Sequence, residues 1–264
     1  MRHHGRMHAR ESEVAGEPAH DSGAPPSDET PHHHRRVTSF RSRRSQLSAA
    51  QQDTWERLWP QLGTEARDAD GAPHPPLDTA AWFGRTAPLV LEIGSGTGTS
   101  TLAMAQDEPD IDVIAVEVYR RGLAQLLSGI DRAGVRNIRM IRGDGLDVLE
   151  HLLGPGQLTG VRVFFPDPWP KARHHKRRLL QAATVALIAD RLRPGGILHA
   201  ATDHAGYAEQ IAEVGDAEQQ LRRVSAPELT TAELPISVHR PVTKYERKAL
   251  AGPDVAELLW EKAP

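Results

Sequence analysis

The chain contains no cysteine, which excludes disulfide scaffolds, cysteine-type zinc sites and thiol nucleophiles together. It also has no apolar run approaching the ~20 residues that a membrane span requires. Its N-terminus lacks the apolar segment of a secretory signal, so a cytoplasmic enzyme is the default expectation. Net positive charge is missing as well. The formal balance is −3, which by itself argues against a nucleic-acid protein.

Local charge reads differently. Between Pro31 and Gln52 there is no acidic residue, while Arg35, Arg36, Arg41, Arg43 and Arg44 are present. A second all-basic block holds Lys171, Arg173, Lys176, Arg177 and Arg178. Clustered cations of this kind matter more than the total when RNA is the partner.

Residues 1–35 are rich in His, Pro, Ser, Gly and charge, with almost nothing large and apolar. Such a segment cannot offset its own ordering entropy, so a disordered tail is expected. His3, His4, His32, His33 and His34 can chelate a metal adventitiously, but no oxygen or sulfur ligands stand at fixed spacing beside them. No metal site is expected. Residues 36–86 read as a basic extension carrying one helix, and residues 87–264 as the main domain. Ser48 and Gln51 have capping-box spacing, and Trp55, Leu58 and Trp59 follow as one apolar helix face.

From Ala87 onward short apolar strands alternate with helices. The strands predicted are 89–93, 113–116, 138–141, 161–165 and 197–202. The helices predicted are 99–106, 119–133, 146–152, 176–192 and 205–214. Within 176–192, Leu180, Ala183, Leu187 and Ile188 form one stripe expected to face the sheet. Arg193-Pro194-Gly195-Gly196 ends that helix. Strand–helix alternation predicts a doubly wound, mostly parallel α/β sheet with helices on both faces. Ligands bind such sheets at the carboxyl ends of the strands, where strand order reverses. Functional residues should therefore come just after strands.

Leu91-Glu92-Ile93-Gly94-Ser95-Gly96-Thr97-Gly98 follows the first predicted strand and opens a helix. Taken alone it is a tight turn. A dinucleotide fingerprint would need a third glycine at position 99, where Thr99 stands instead. Glu92 would repel a pyrophosphate but suits a cationic ligand such as S-adenosylmethionine (SAM), with its sulfonium and ammonium. Glu117 ends the second predicted strand, where an acid can take both ribose hydroxyls. Asp144 follows the third, placed for an adenine amino group. A single acid there is usually a helix cap; three in succession favour a ligand rim.

Phe165-Pro166-Asp167-Pro168-Trp169-Pro170-Lys171 comes directly after the fourth predicted strand. Alternating prolines make a rigid turn that can hold the Asp167 carboxylate in place. Trp169 can pack as core or offer a face to a base. The following Ala172-Arg173-His174-His175-Lys176-Arg177-Arg178 would load cations onto a helix N-terminus, against the macrodipole. That placement suggests another role, with RNA phosphate as the partner.

The stretch from Phe165 to Arg178 resembles the signature of the bacterial tRNA (guanine-N7-)-methyltransferases. Thr243-Lys244-Tyr245-Glu246-Arg247 is similar to that family's C-terminal motif, with Tyr245 for the commoner phenylalanine and the arginine one position early. The glycine turn, Val116-Glu117-Val118 and Thr202-Asp203-His204 fall in family order, and Arg41-Ser42-Arg43-Arg44 resembles more loosely the basic segment before the domain. The resemblance implies a class I SAM-dependent fold with a seven-stranded sheet over residues 87–264. It implies SAM bound by Glu92, Gly94, Gly96, Gly98, Glu117, Asp144 and Asp167, with Asp167 also catalytic. Substrate would meet Lys171, Asp203, Thr243, Lys244, Tyr245 and Glu246, and RNA would meet Arg173, His174, His175, Lys176, Arg177 and Arg178. The partner implied is tRNA, modified at N7 of its variable-loop guanine, by a monomer or homodimer with no obligate protein partner. The rival readings are an exocyclic amino-group methyltransferase, since D-P-W after a strand resembles that class's turn, and a non-catalytic RNA-binding protein with a vestigial pocket.

Overall fold

A computed structural model describes residues 46–227, 236–242 and 254–264. The expectations placed on residues 1–35, on Arg41, Arg43 and Arg44, and on Thr243, Lys244, Tyr245, Glu246 and Arg247 lie outside the described residues.

The sheet is built on strands that are mostly apolar, with Glu92, Asp112, Glu117 and Arg162 buried among them. In β2 (Leu89–Ile93), β3 (Asp112–Glu117) and β5 (Leu158–Phe164) every residue is buried, as expected of parallel strands covered on both faces. With β4 (Ile138–Arg142) and β6 (Leu192–Thr202) they form a parallel core. β7 (Leu221–Val224) and β8 (Ala256–Lys262) close one edge as antiparallel strands, and β1 (Gly63–Glu65) closes the other. The order is β1-β4-β3-β2-β5-β6-β8-β7. The doubly wound, mostly parallel α/β sheet is therefore as predicted, but among the described residues it has eight strands rather than seven. The additional strand is β1, three residues long, which the sequence concealed because it is too short to show an alternating pattern. It makes the first strand predicted from sequence the second in chain order.

The side chains of each strand alternate between two cores. Leu89, Leu91, Ile93, Val161, Val163, Leu198 and Ala200 face one side, packed on α6 (Ala182–Arg191) and α7 (Ala205–Ala217). Val90, Val113, Ala115 and Met140 face the other, under α4 (Arg120–Ala133). α1 (Ala49–Leu62) also packs on α4, with Arg120 lying over the Trp55 ring at 4.7 Å. The predicted capping box is present: the Gln51 N–H donates to Ser48 Oγ and the Ser48 N–H to Gln51 Oε1.

Several boundaries differ from those predicted. α6 begins at Ala182, not at residue 176, and the basic block instead forms a 3₁₀ turn, Ala172–Arg177. The cations thus do not load an α-helix N-terminus. The buried face of α6 is Thr184, Val185, Ile188 and Ala189, whereas Ala183 is exposed: Leu180, on which the expected stripe is phased, lies before the helix. Leu146–Leu152 divides into α5 (Gly145–Asp147) and a π-helical turn, Val148–Leu152. Residues 193–196 do end α6, but as an irregularity within β6: Leu192 pairs with Leu158, and pairing resumes at Ile197 with Gly160.

The order in which strands are added reverses between β2 and β5, which are parallel neighbours in the sheet. That switch point puts the glycine turn after β2 beside the proline turn after β5.

Candidate active site

The glycine turn joins β2 to α3 (Thr99–Asp107), and Gly94, Gly96 and Gly98 all adopt positive φ, at 79°, 57° and 73°. Only glycine takes three such conformations in five residues without strain. Gly94 and Ser95 donate backbone N–H to the Val116 carbonyl, tying the turn to the end of β3. Gly122 of α4 lies so close that a Cβ there would sit 2.2 Å from the Gly96 oxygen. At Gly94 and Gly96, by contrast, a Cβ would point into open space. Helix and turn are packed tightly from below, and the upper side is left clear.

Glu117 props this turn. One carboxylate oxygen accepts the Gly96 N–H at 2.9 Å, and the other accepts those of Val118 at 2.7 Å and Tyr119 at 3.0 Å. Burial pushes its pKa up, the three backbone donors pull it down, and the nearby Asp167 charge pushes it up again. Glu92 lies deeper, 3% exposed, with one oxygen buried and unpartnered, as is Ser95 Oγ. Burial raises the Glu92 pKa to about 7, against the pull of Arg162 and the Thr101 hydroxyl. An unsatisfied buried carboxylate oxygen costs on the order of 1–3 kcal/mol, a debt that a cationic or hydrogen-bonding ligand would remove. Asp144 caps α5, accepting the Leu146 N–H at 2.9 Å, so the cap reading holds for it. It nonetheless stands half-buried at the end of β4 on the same rim.

On the β5 side, the proline turn carries two non-glycine residues at positive φ, Phe165 at 51° and Trp169 at 43°. Conformations like these cost about 1–3 kcal/mol each and persist only where the surroundings enforce them. Asp167, between them, is exposed, and its charge is felt by both Glu117 and Tyr207. Trp169 is covered rather than open: the Arg177 guanidinium lies over its ring at 5.0 Å, and His174 meets it edge-on at 5.8 Å. Asp203, at the end of β6, is half-buried, and the His204 ring caps α7 by accepting the Tyr207 N–H.

The basic block divides. Lys171, Arg173 and Lys176 are exposed, and His174, His175 and Arg177 are partly so. Arg178 is 3% exposed and turned inward, its Nε donating to the Pro168 carbonyl at 2.8 Å and one terminal nitrogen donating to Gln210 Oε1 at 2.6 Å. The sequence grouped it with five surface residues that it does not join. Nothing in a run of cations marks the one that folds inward.

Three residues near the site escaped notice in the sequence. Arg162, in the middle of β5, is 1% exposed and pairs with Glu108 at 2.7 Å while standing next to Glu92 in register. The arginine amid Val161 and Val163 was the available signal, since a lone cation in a buried strand needs a partner. His199 of β6 donates to Glu257 at 3.1 Å, and Arg240 donates to the same carboxylate at 3.1 Å.

A family model described as "putative methyltransferase" matches residues 86–256. A curated "tRNA (guanine-N(7)-)-methyltransferase" of Mycobacterium sp. (strain KMS) is 79% identical over 279 residues, covering 100% of both chains. The chain belongs to the tRNA (guanine-N(7)-)-methyltransferase family. A namesake from Mycolicibacterium gilvum (strain PYR-GCK) is 70% identical over all of both chains. One from Mycobacterium tuberculosis (strain ATCC 25177 / H37Ra) is 62% identical, across 99% of this chain and 96% of that one. Family membership accords with the switch-point geometry, in which a rim of acids and glycines faces a rigid acidic turn. No helix among the described residues is long and apolar enough to cross a membrane.

Proposed function

We propose that the protein transfers the methyl group of SAM to N7 of a guanine in tRNA. The observation that carries this reading is the meeting, at one switch point, of the glycine turn with its orphaned Glu92 oxygen and the proline turn that presents Asp167. Both belong to a chain 79% identical to a curated enzyme of that name.

SAM fits the residues present. The open space above Gly94 and Gly96 admits a ligand against the backbone, and Glu92 and Ser95 offer buried polar atoms without partners. In this reading Glu92 and the turn hold the methionine end, Glu117 the ribose and Asp144 the adenine. Glu117 can accept a hydroxyl without releasing the backbone, because each carboxylate oxygen has more than one lone pair. When bound, SAM supplies a methyl group activated by its sulfonium.

The remaining work falls to the chain. Guanine N7 carries no proton, so no general base is required, and the enzyme's task is alignment. Methylation makes the base cationic, and the Asp167 carboxylate offsets the charge as it forms. Asp203 is suited to the N1–H and N2 donors of the guanine edge, as is Glu246 by family resemblance; a carboxylate matches two adjacent donors. Lys171, Arg173, His174, His175, Lys176 and Arg177 are assigned to RNA phosphate, and Lys171, Thr243, Lys244, Tyr245 and Glu246 to the substrate nucleotide. The variable-loop guanine is the target in this reading, because a loop base is accessible without opening a duplex. The protein works in the cytoplasm on this account, where tRNA and SAM meet.

Nuclease digestion and mass spectrometry of tRNA treated with the protein and SAM tests the proposal. The expected product is 7-methylguanosine; a methyl on an exocyclic amine would replace this chemistry with the rival one.

A further inference from the structure

We infer that two buried arginines, Arg178 and Arg240, are positioning residues that clamp the Asp167 turn from either side. The inference rests on the reading of Asp167 given above, and it concerns how that carboxylate is kept in place.

The turn needs outside support. It leaves β5 through Phe165 and ends at Trp169, both at positive φ, with Asp167 between prolines 166 and 168. Its backbone is tied to the sheet by the Phe165 N–H, which donates to the Ala201 carbonyl at 2.8 Å.

Arg178 holds the residue after Asp167. Besides the bond to the Pro168 carbonyl, it donates to the Gly206 carbonyl at 3.2 Å and to Gln210, and its guanidinium lies 4.8 Å from the Tyr207 ring centre. Pro168 is thereby fastened to α7. A guanidinium engaged in this way and shielded from solvent is unavailable to an RNA phosphate.

Arg240 holds the residue two before Asp167. Its side chain is 3% exposed, its guanidinium lies 4.9 Å from the Phe165 ring centre and 5.7 Å from that of Phe164, and Glu257 takes its charge. Cation–π contacts gain strength when water is excluded, as here. Glu257 is in turn held by His199, whose ring meets Phe164 edge-on at 4.9 Å.

The strap that brings Arg240, residues 236–242, is anchored along one face of β5. Ile236 packs where a Cβ on Gly160 would stand 2.6 Å from it. Ser237 is gripped at both ends of its peptide: its carbonyl accepts from Arg162, and its N–H donates to Glu108, the partner of Arg162. Gly160, Arg162 and Phe164 alternate along the strand, so successive strap residues advance from the strand's interior toward the turn. The strap then runs in sequence directly into Thr243.

Hydrogen exchange read by mass spectrometry tests the clamp without any methyl transfer. In Arg178→Gln and in Arg240→Gln, amides of Asp167, Trp169 and Lys171 should exchange at least tenfold faster, while residues 94–107 exchange as in the wild type. Single-turnover methylation of tRNA should fall about tenfold or more, with SAM and tRNA affinities within threefold. Arg240→Lys, which keeps the charge but not the planar stacking, should fall between, and it serves if the glutamine variant does not fold. Phe165→Leu combined with Arg240→Gln should be no slower than the slower single variant, because both remove one contact. The salt dependence of tRNA binding should be unchanged in Arg178→Gln, whereas Arg177→Gln should lower the log–log slope by about 1. Unaltered exchange in the turn, multiplicative rate losses in the double variant, or a flattened salt slope for Arg178→Gln would each overturn the inference. Because exchange is read on the protein alone, a wrong N7 reading would leave this result standing or falling by itself.

Discussion

The two halves of the strand-end rim are built by different means. On the β2–β4 half, glycine backbone and acids near in sequence do the work: Glu117 props a turn 21 residues away, and Asp144 caps its own helix. On the β5–β6 half, the turn is held by side chains from far along the chain, Arg178 and Arg240, backed by Glu108, Glu257 and His199. The first half is a cradle of dipoles that a small ligand can enter without moving side chains. The second is a rigid arm under tension, with two residues at positive φ and an exposed Asp167 between them. A cofactor that is the same in every cycle suits the first, and a macromolecular substrate suits the second.

If the halves are separable, their variants should separate. The largest effect on the cradle side is expected from Glu117→Ala. Loss of charged hydrogen bonds to Gly96, Val118 and Tyr119 should weaken SAM binding by roughly 1–3 kcal/mol in calorimetry, with tRNA affinity nearly intact. On the arm side, Lys176→Gln with Arg177→Gln should lower the slope of log affinity for tRNA against log salt by about 2, leaving SAM affinity alone. An effect of either variant on both ligands would break the division.

The smallest expected effect is on stability. The Glu92 carboxyl is raised from 4.5 to about 7 by burial, so the folded chain holds a proton that the unfolded chain has released. The stability this supplies is full below about 4.5 and is lost as pH rises to about 7. Relative to Glu92→Gln, the wild type should therefore lose melting temperature by a few degrees between pH 5 and 7.5 in the absence of SAM. A constant difference across that range would mean that Glu92 is ionised when buried.

The same division explains what could be read in the sequence. The cradle was legible because its signals are local: a buried strand, a glycine turn and an acid follow one another at Leu89–Ile93, Gly94 and Glu117. The Ser48–Gln51 capping box was legible for the same reason. The arm's motif was visible in its prolines, but its supports were not. Arg178 is one of five Lys and Arg residues between positions 171 and 178, and Arg240 lies 73 residues from Asp167, so only the folded chain brings them to the turn. β7 and β8 also went unread, because β8 pairs with β6 and β7 across more than 30 residues and the burial of both strands alternates weakly. Residue 78 did carry a signal that was passed over: Asp78 caps the short helix α2 (Thr79–Phe83), accepting the Ala81 N–H.

The central claim is that Asp167 acts by charge on an N7 that has no proton to lose. Single-turnover methylation of tRNA by wild type and Asp167→Asn, followed from pH 7 to 9, tests it most directly. The isosteric amide should keep the fold and much of the SAM affinity yet slow methyl transfer on the order of 10²-fold or more. The wild-type rate should stay nearly flat across that pH range. Wild-type speed in Asp167→Asn would contradict the assigned role, and a rate rising tenfold per pH unit would show that a proton must first be removed from the nucleophile.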